Sequence, residues 1–178
     1  MKTGSLIVRD AQLSDRDALV SFNCSLALET EGKQLDPSVV GRGVERALTT
    51  EDRLRYWVAE REGKLLGQSA ISREWSDWRC GWIWWLQSVY VVSEARGFGV
   101  FRALHSHIRE TAHQTDEVIG LRLYVEQENH RAQKTYEALG MLPGGYVVFE
   151  ELWPDRYGRS ESVSEPTRHP FTSRGGSA

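Results

Sequence analysis

Gln87-Ser88-Val89-Tyr90-Val91-Val92-Ser93-Glu94-Ala95-Arg96-Gly97-Phe98-Gly99-Val100-Phe101-Arg102-Ala103-Leu104 runs from a β-branched and aromatic stretch, through a glycine-punctuated turn, into the opening of a helix. A strand, a glycine turn and a helix start in that order build an anion site. The first amides of a helix have no partner within it and lie at the positive end of its macrodipole. Gly97 and Gly99 allow the backbone to approach a phosphate without a Cβ in the way. A pyrophosphate-bearing cofactor is the expected occupant, although a glycine pair also serves where a chain merely turns tightly.

The flanking residues exclude two common phosphate loops. No Gly-Lys-Ser/Thr follows the turn, and no third glycine completes a dinucleotide fingerprint. Downstream, Leu121 to Val125 reads as a buried strand. Asn129 then caps a helix through Arg131, Ala132, Tyr136 and Leu139, ended by Gly140.

Arg96-Gly97-Phe98-Gly99-Val100 resembles the acyl-coenzyme A loop of the GNAT N-acetyltransferases, Arg/Gln-x-x-Gly-x-Gly/Ala. The series Asn129, Ala132, Tyr136, Gly140, Met141 resembles that family's second signature, Asn-x-x-Ala-x-x-x-Tyr-x-x-x-Gly-Phe. Both occur in family order, and the resemblance covers residues 5 to 153. It departs where Phe101 stands in place of Gly or Ala. The Phe101 amide still donates, so its ring is expected to turn away from the phosphates or toward the adenine side.

The resemblance implies an α+β fold in α/β/α layers, with a mixed, mostly antiparallel sheet of six to seven strands, splayed central strands and about four flanking helices. It implies acetyl-coenzyme A as co-substrate and no metal. Its binding residues would be Val89, Tyr90 and Val91 on the central strand, then Arg96, Gly97, Phe98, Gly99, Val100, Phe101 and Arg102, with Asn129 on the pantetheine arm. Tyr136 matches the family's general acid, which protonates the leaving thiolate.

With 178 residues and a net charge of -3, the chain fits one domain and gives no reason to expect a nucleic acid partner. Cys24 and Cys80 have no metal-ligand spacing and read as free thiols of a reducing compartment. No apolar run approaches the ~20 residues of a membrane helix and no signal-peptide core is present, so a cytoplasmic protein away from membranes is expected. The domain is read as residues 1–155, and the Pro-, Gly-, Ser- and Arg-rich residues 156–178 as a disordered tail.

Leu6 to Arg9 reads as a first strand, and Ser14 with Asp17 as a capping pair for a helix reaching Glu29. A second helix from Pro37 through Leu48 joins it over one sheet face as an acceptor lip. Arg55 to Glu60, Leu65 to Arg73 and Gly81 to Val92 form an antiparallel meander. Trp75, Trp78, Trp82, Trp84 and Trp85 crowd its far end, with Trp82 and Trp84 on one face.

Tryptophan faces attract cations, and carboxylates near the acceptor side hold an ammonium, so Glu29, Glu74, Trp75, Asp77 and Trp85 are candidate substrate residues. Solvated surface charge is the ordinary role of such carboxylates. No histidine has a partner spacing for a metal or a nucleophilic triad. The expected activity is acetyl transfer to a primary amine by direct attack in a ternary complex. The position five residues before Asn129 is Tyr124 rather than the glutamate common in protein N-terminal acetylases, which favours a small-molecule acceptor. An enzyme acting on protein lysines or N-termini and a catalytically silent acyl-coenzyme A sensor are the alternatives, and a homodimer is left open.

Overall fold

Ile7–Asp10 (β1) pairs antiparallel with Arg55–Arg61 (β2), which returns as Lys64–Ser76 (β3) and again as Gly81–Val91 (β4) in the computed structural model, where residues 4–50 and 52–153 are described. The β2–β3 turn takes its shape from Glu62 (φ 52°) and Gly63 (φ 75°). Two successive left-handed residues give the hairpin turn whose twist matches that of its strands. Val118–Leu123 (β5) then lies parallel to β4, completing the order β1-β2-β3-β4-β5.

Strand alternation divides the apolar residues between two faces. Tyr56, Val58 and Ala70 pack under Leu19, Val44 and Ala47 of helices Arg16–Glu31 (α1) and Pro37–Thr49 (α2). Trp57, Ala59, Ile71, Trp84 and Leu86 on the other face meet Val100, Leu104, Ile108 and Ala112 of Val100–Gln114 (α3). The i, i+4 spacing of the α3 residues makes the stripe that buries them. His130–Ala138 (α4) follows β5, capped by the Asn129 side chain, which accepts from the Ala132 amide at 3.0 Å. The layered architecture and the four helices agree with the sequence reading.

Three local expectations are corrected. The turn into α1 is held by Asp15 rather than by Ser14 and Asp17: its carboxylate accepts from the Gln12 amide at 2.7 Å and from Arg9 at 2.8 and 3.0 Å. Strand β5 runs from Val118 to Leu123, ending before Val125. Among the described residues the sheet has five strands rather than six to seven. The residues left for further strands, 142–153, hold Pro143, Gly144 and Gly145, which weaken pairing, before a short β-prone run from Tyr146 to Phe149. The expected tail, 156–178, lies outside the described residues.

Pairing between β4 and β5 ends at Leu86 and Leu123, while β4 continues to Val91. Just beyond that point β4 bulges. Gln68 faces Tyr90 but Ala70 faces Gln87, so Ser88 and Val89 together oppose Ser69, with Ser88 at φ 50°. Beyond Leu86 the β5-side edge of β4 is left unpaired, a gap that leads toward the glycine turn.

Candidate active site

Alternate residues of a strand turn their amides to opposite edges. The Val92 amide donates to Leu66 O at 3.0 Å on the β3 side, so Val91 and Val89 turn theirs toward the gap. These are the two positions that the sequence reading assigned to backbone recognition of a pantetheine arm.

Past Val91, a 3-10 turn at Ser93–Ala95 leads to Gly97 (φ 83°) and Gly99 (φ 82°), the latter at the N-cap of α3. Both conformations are left-handed, which favours glycine. A Cβ built on either would meet nothing within 4 Å. The space in front of the loop is thus open to a group that contacts backbone directly. The amides of Val100, Phe101 and Arg102 open α3 without intrahelical acceptors, a geometry suited to phosphate oxygens. Phe98 stands exposed beside the loop and Arg102 is exposed on the first helical turn.

The Phe101 ring packs edge-on against Tyr136 of α4 at 5.7 Å and lies 6.1 Å from the His105 ring. It fills the space between the helices. Burial raises the Tyr136 phenol above its ordinary pKa, which keeps its proton in place. His105 is buried on α3, and desolvation, aided by Arg109, lowers its pKa and favours the neutral ring.

The Arg96 side chain lies against the end of β4 and α1. Its Nε donates to Val91 O at 2.9 Å and its Nη2 to Glu29 Oε2 at 2.5 Å, with the guanidinium 5.6 Å from the centre of the Tyr90 ring. Tyr90 lies on the α1 face against Phe22 and donates its hydroxyl to Glu29 Oε1 at 2.9 Å. The Arg96 bond holds the Glu29 carboxyl below its usual pKa, helped by Tyr90. These three residues tie the last turns of α1 to the end of β4.

The substrate candidates separate. Glu74 and Trp85 meet on the α1–α2 face, where Trp85 Nε1 donates to Glu74 Oε2, and Tyr124 stacks on Trp85 at 4.3 Å. Arg122, absent from the sequence reading, bonds Glu74 at 3.1 Å and lies 5.1 Å from the Trp85 ring centre. A cation already sits on this acidic and aromatic pair. Trp75 packs against Trp82, 5.0 Å away on the α3 face, and Asp77 accepts from the Trp78 amide in the exposed β3–β4 turn. Neither joins Glu74 and Trp85.

The sequence reading also missed a polar group beneath α1. Gln68, with no exposed surface, donates to Asn23 Oδ1 at 2.8 Å and to Ser88 O at 3.1 Å, and Asn23 Nδ2 donates to the Tyr56 hydroxyl at 3.4 Å. An amide side chain inside the run Leu65-Leu66-Gly67-Gln68-Ser69-Ala70-Ile71 was the available signal, because a buried polar group needs partners.

Compared with known proteins, residues 24–141 match the model of the acetyltransferase (GNAT) family. No curated protein matches the sequence. A solved structure of a possible acetyltransferase from Clostridium difficile 630 is 40% identical, with 83% of this chain and 97% of that chain covered at a TM-score of 0.78. Two others share the fold at lower identity. Glucosamine-6-phosphate N-acetyltransferase from Arabidopsis thaliana is 20% identical, over 83% of this chain and 98% of that one, with a TM-score of 0.64. A predicted acetyltransferase from Clostridium acetobutylicum, solved with acetyl-CoA, is 17% identical, over 87% of this chain and all of that one, with a TM-score of 0.66.

Proposed function

The chain belongs to the acetyltransferase (GNAT) family, and on that premise we propose that it moves an acetyl group from acetyl-coenzyme A to a primary amine of a small molecule in the cytoplasm. The observation that carries this reading is the succession along one strand of the Ser88–Val89 bulge, the β4 edge left unpaired beyond Leu86 and the open Gly97–Gly99 turn at the start of α3. Backbone amides along that path suit a pantetheine arm at one end and a pyrophosphate at the other. Acetyl-coenzyme A supplies the activated thioester.

The residues of the chain then have distinct tasks. Val89 and Val91 orient the thioester from backbone, and the α3 amides hold the phosphates. The lone pair of a neutral amine attacks the carbonyl carbon; the N–C bond forms as the C–S bond breaks, and the sulfur departs with the bonding pair. Tyr136 gives its proton to that sulfur, and the proton shed by the amine nitrogen returns to the phenolate through water. Asn129 holds the start of α4 by capping it. Glu74 and Trp85, with Arg122, form the rim past which the acceptor enters, while Glu29 and Arg96 fix α1 against the cofactor strand.

Thiol release from acetyl-coenzyme A in the presence of an amine panel tests the reaction. Calorimetry with coenzyme A on Gly99→Val tests the loop, because a valine at φ 82° is strained by ~1 to 3 kcal/mol and puts a branched side chain into the open space before the amides. Binding is expected to be lost. A folded variant with unchanged affinity would remove the loop assignment, and turnover with no amine would remove the enzymatic one.

A further inference from the structure

Between α1 and α2, over the sheet, lies a cavity of about 370 Å³. Its walls are largely aliphatic, with Leu26 from α1, Val40 and Val44 from α2, and Leu35 from the segment joining the two helices. Asn23, Tyr56 and Ser88 supply its polar lining. Ser88 is also the bulge residue, immediately before Val89, whose amide turns to the gap. The polar part of the cavity is therefore next to the point where the thioester is placed by the reading above.

We infer, resting on that acetyl-transfer reading, that this cavity takes the acceptor and that the acceptor is a primary amine on an aliphatic or arylalkyl body, without phosphate or carboxylate. Two observations select this chemistry. The aliphatic walls reward an apolar body with about 0.8 kcal/mol for each methylene buried, which is about fourfold in kcat/KM. No lysine, arginine or histidine is among the described residues lining the cavity, and its one charged residue, Glu31, is bonded to Lys33. An anionic group would enter there unpaired.

The test is thiol release from acetyl-coenzyme A with ethylamine, butylamine, hexylamine and phenethylamine, set against glucosamine 6-phosphate and glycine. The expected result is a rise of roughly fourfold in kcat/KM per added methylene up to the size of the cavity, with the two anionic amines at least tenfold poorer than butylamine. Val40→Trp, which fills the half-buried wall, is expected to lower kcat/KM for hexylamine and phenethylamine by tenfold or more, while calorimetry finds unchanged coenzyme A affinity. Efficient turnover that is independent of chain length, or that favours an anionic amine, would overturn this acceptor class and leave the acetyl-transfer reading standing. Coenzyme A binding without transfer to any amine would overturn both.

Discussion

The acid role proposed for Tyr136 rests on the partial burial of its phenol. Its ring lies against Phe101, and desolvation raises its pKa above that of a free phenol, so the acid form persists past pH 10. The alkaline limb of kcat should therefore lie above pH 10 and disappear in Tyr136→Phe. In that variant kcat is expected to fall by ~10² to 10⁴ with coenzyme A affinity barely changed; an intact kcat would overturn the assignment and leave the fold untouched. Asp15 acts on stability instead. Arg9 and the Gln12 amide lower its pKa in the folded state, so its contribution is complete above the unfolded value near ~3.9 and is lost as pH falls through the folded value. Asp15→Asn should lower Tm at neutral pH and flatten the fall of Tm below pH ~4. A parallel acid limb in both proteins would refute this.

At the scale of elements, the proposed cofactor path depends on how closely β4 lies against β3. Gly67 makes that approach: a Cβ there would sit 2.7 Å from Tyr90 O, 3.2 Å from Val91 Cγ2 and 3.3 Å from Val100 Cγ1. Two of the contacts are on β4 and one on α3, so the strain of an added methyl falls on the end of the gap and the start of the helix. Gly67→Ala should cost ~1 to 3 kcal/mol in denaturant unfolding and weaken coenzyme A binding in calorimetry. Unchanged values for both would mean that β4 has room to yield. The Glu29–Arg96–Tyr90 group ties α1 to the same strand end, which gives α1 and β4 a common anchor.

At the scale of the molecule, the two faces of the sheet are separate apolar layers. The α3 layer is the larger, and Leu104, with no exposed surface, stands one helical turn after Val100 at the loop. Leu104→Ala should destabilise the protein by ~2 to 5 kcal/mol, read from the denaturant midpoint, because the cavity left behind cannot collapse fully. A loss under 1 kcal/mol would show that α3 settles onto the sheet by itself. The α1–α2 layer covers less of the sheet. Glu74, Trp85, Arg122 and Tyr124 remain beside it as a half-open polar and aromatic rim.

The sequence by itself determined the parts that depend on local order. The run from Arg55 to Glu60 marked a strand of the meander, the left-handed positions at Gly97 and Gly99 fell where a glycine turn was read, and Asn129 capped its helix as its position required. These are interactions over a few residues, so their pattern is written in consecutive positions. Tertiary structure alone decided what met across long separations. Arg96 turned from the loop to Glu29, 67 residues away, Arg122 settled on Glu74, 48 residues away, and Trp75 parted from Trp85 onto the opposite face. Register and strand parity fix those meetings, and a bulge at Ser88 changes the parity of everything beyond it. The polar group around Gln68 followed the same logic: a lone amide in an apolar strand announced that it needed partners, and only the packing of α1 supplied Asn23.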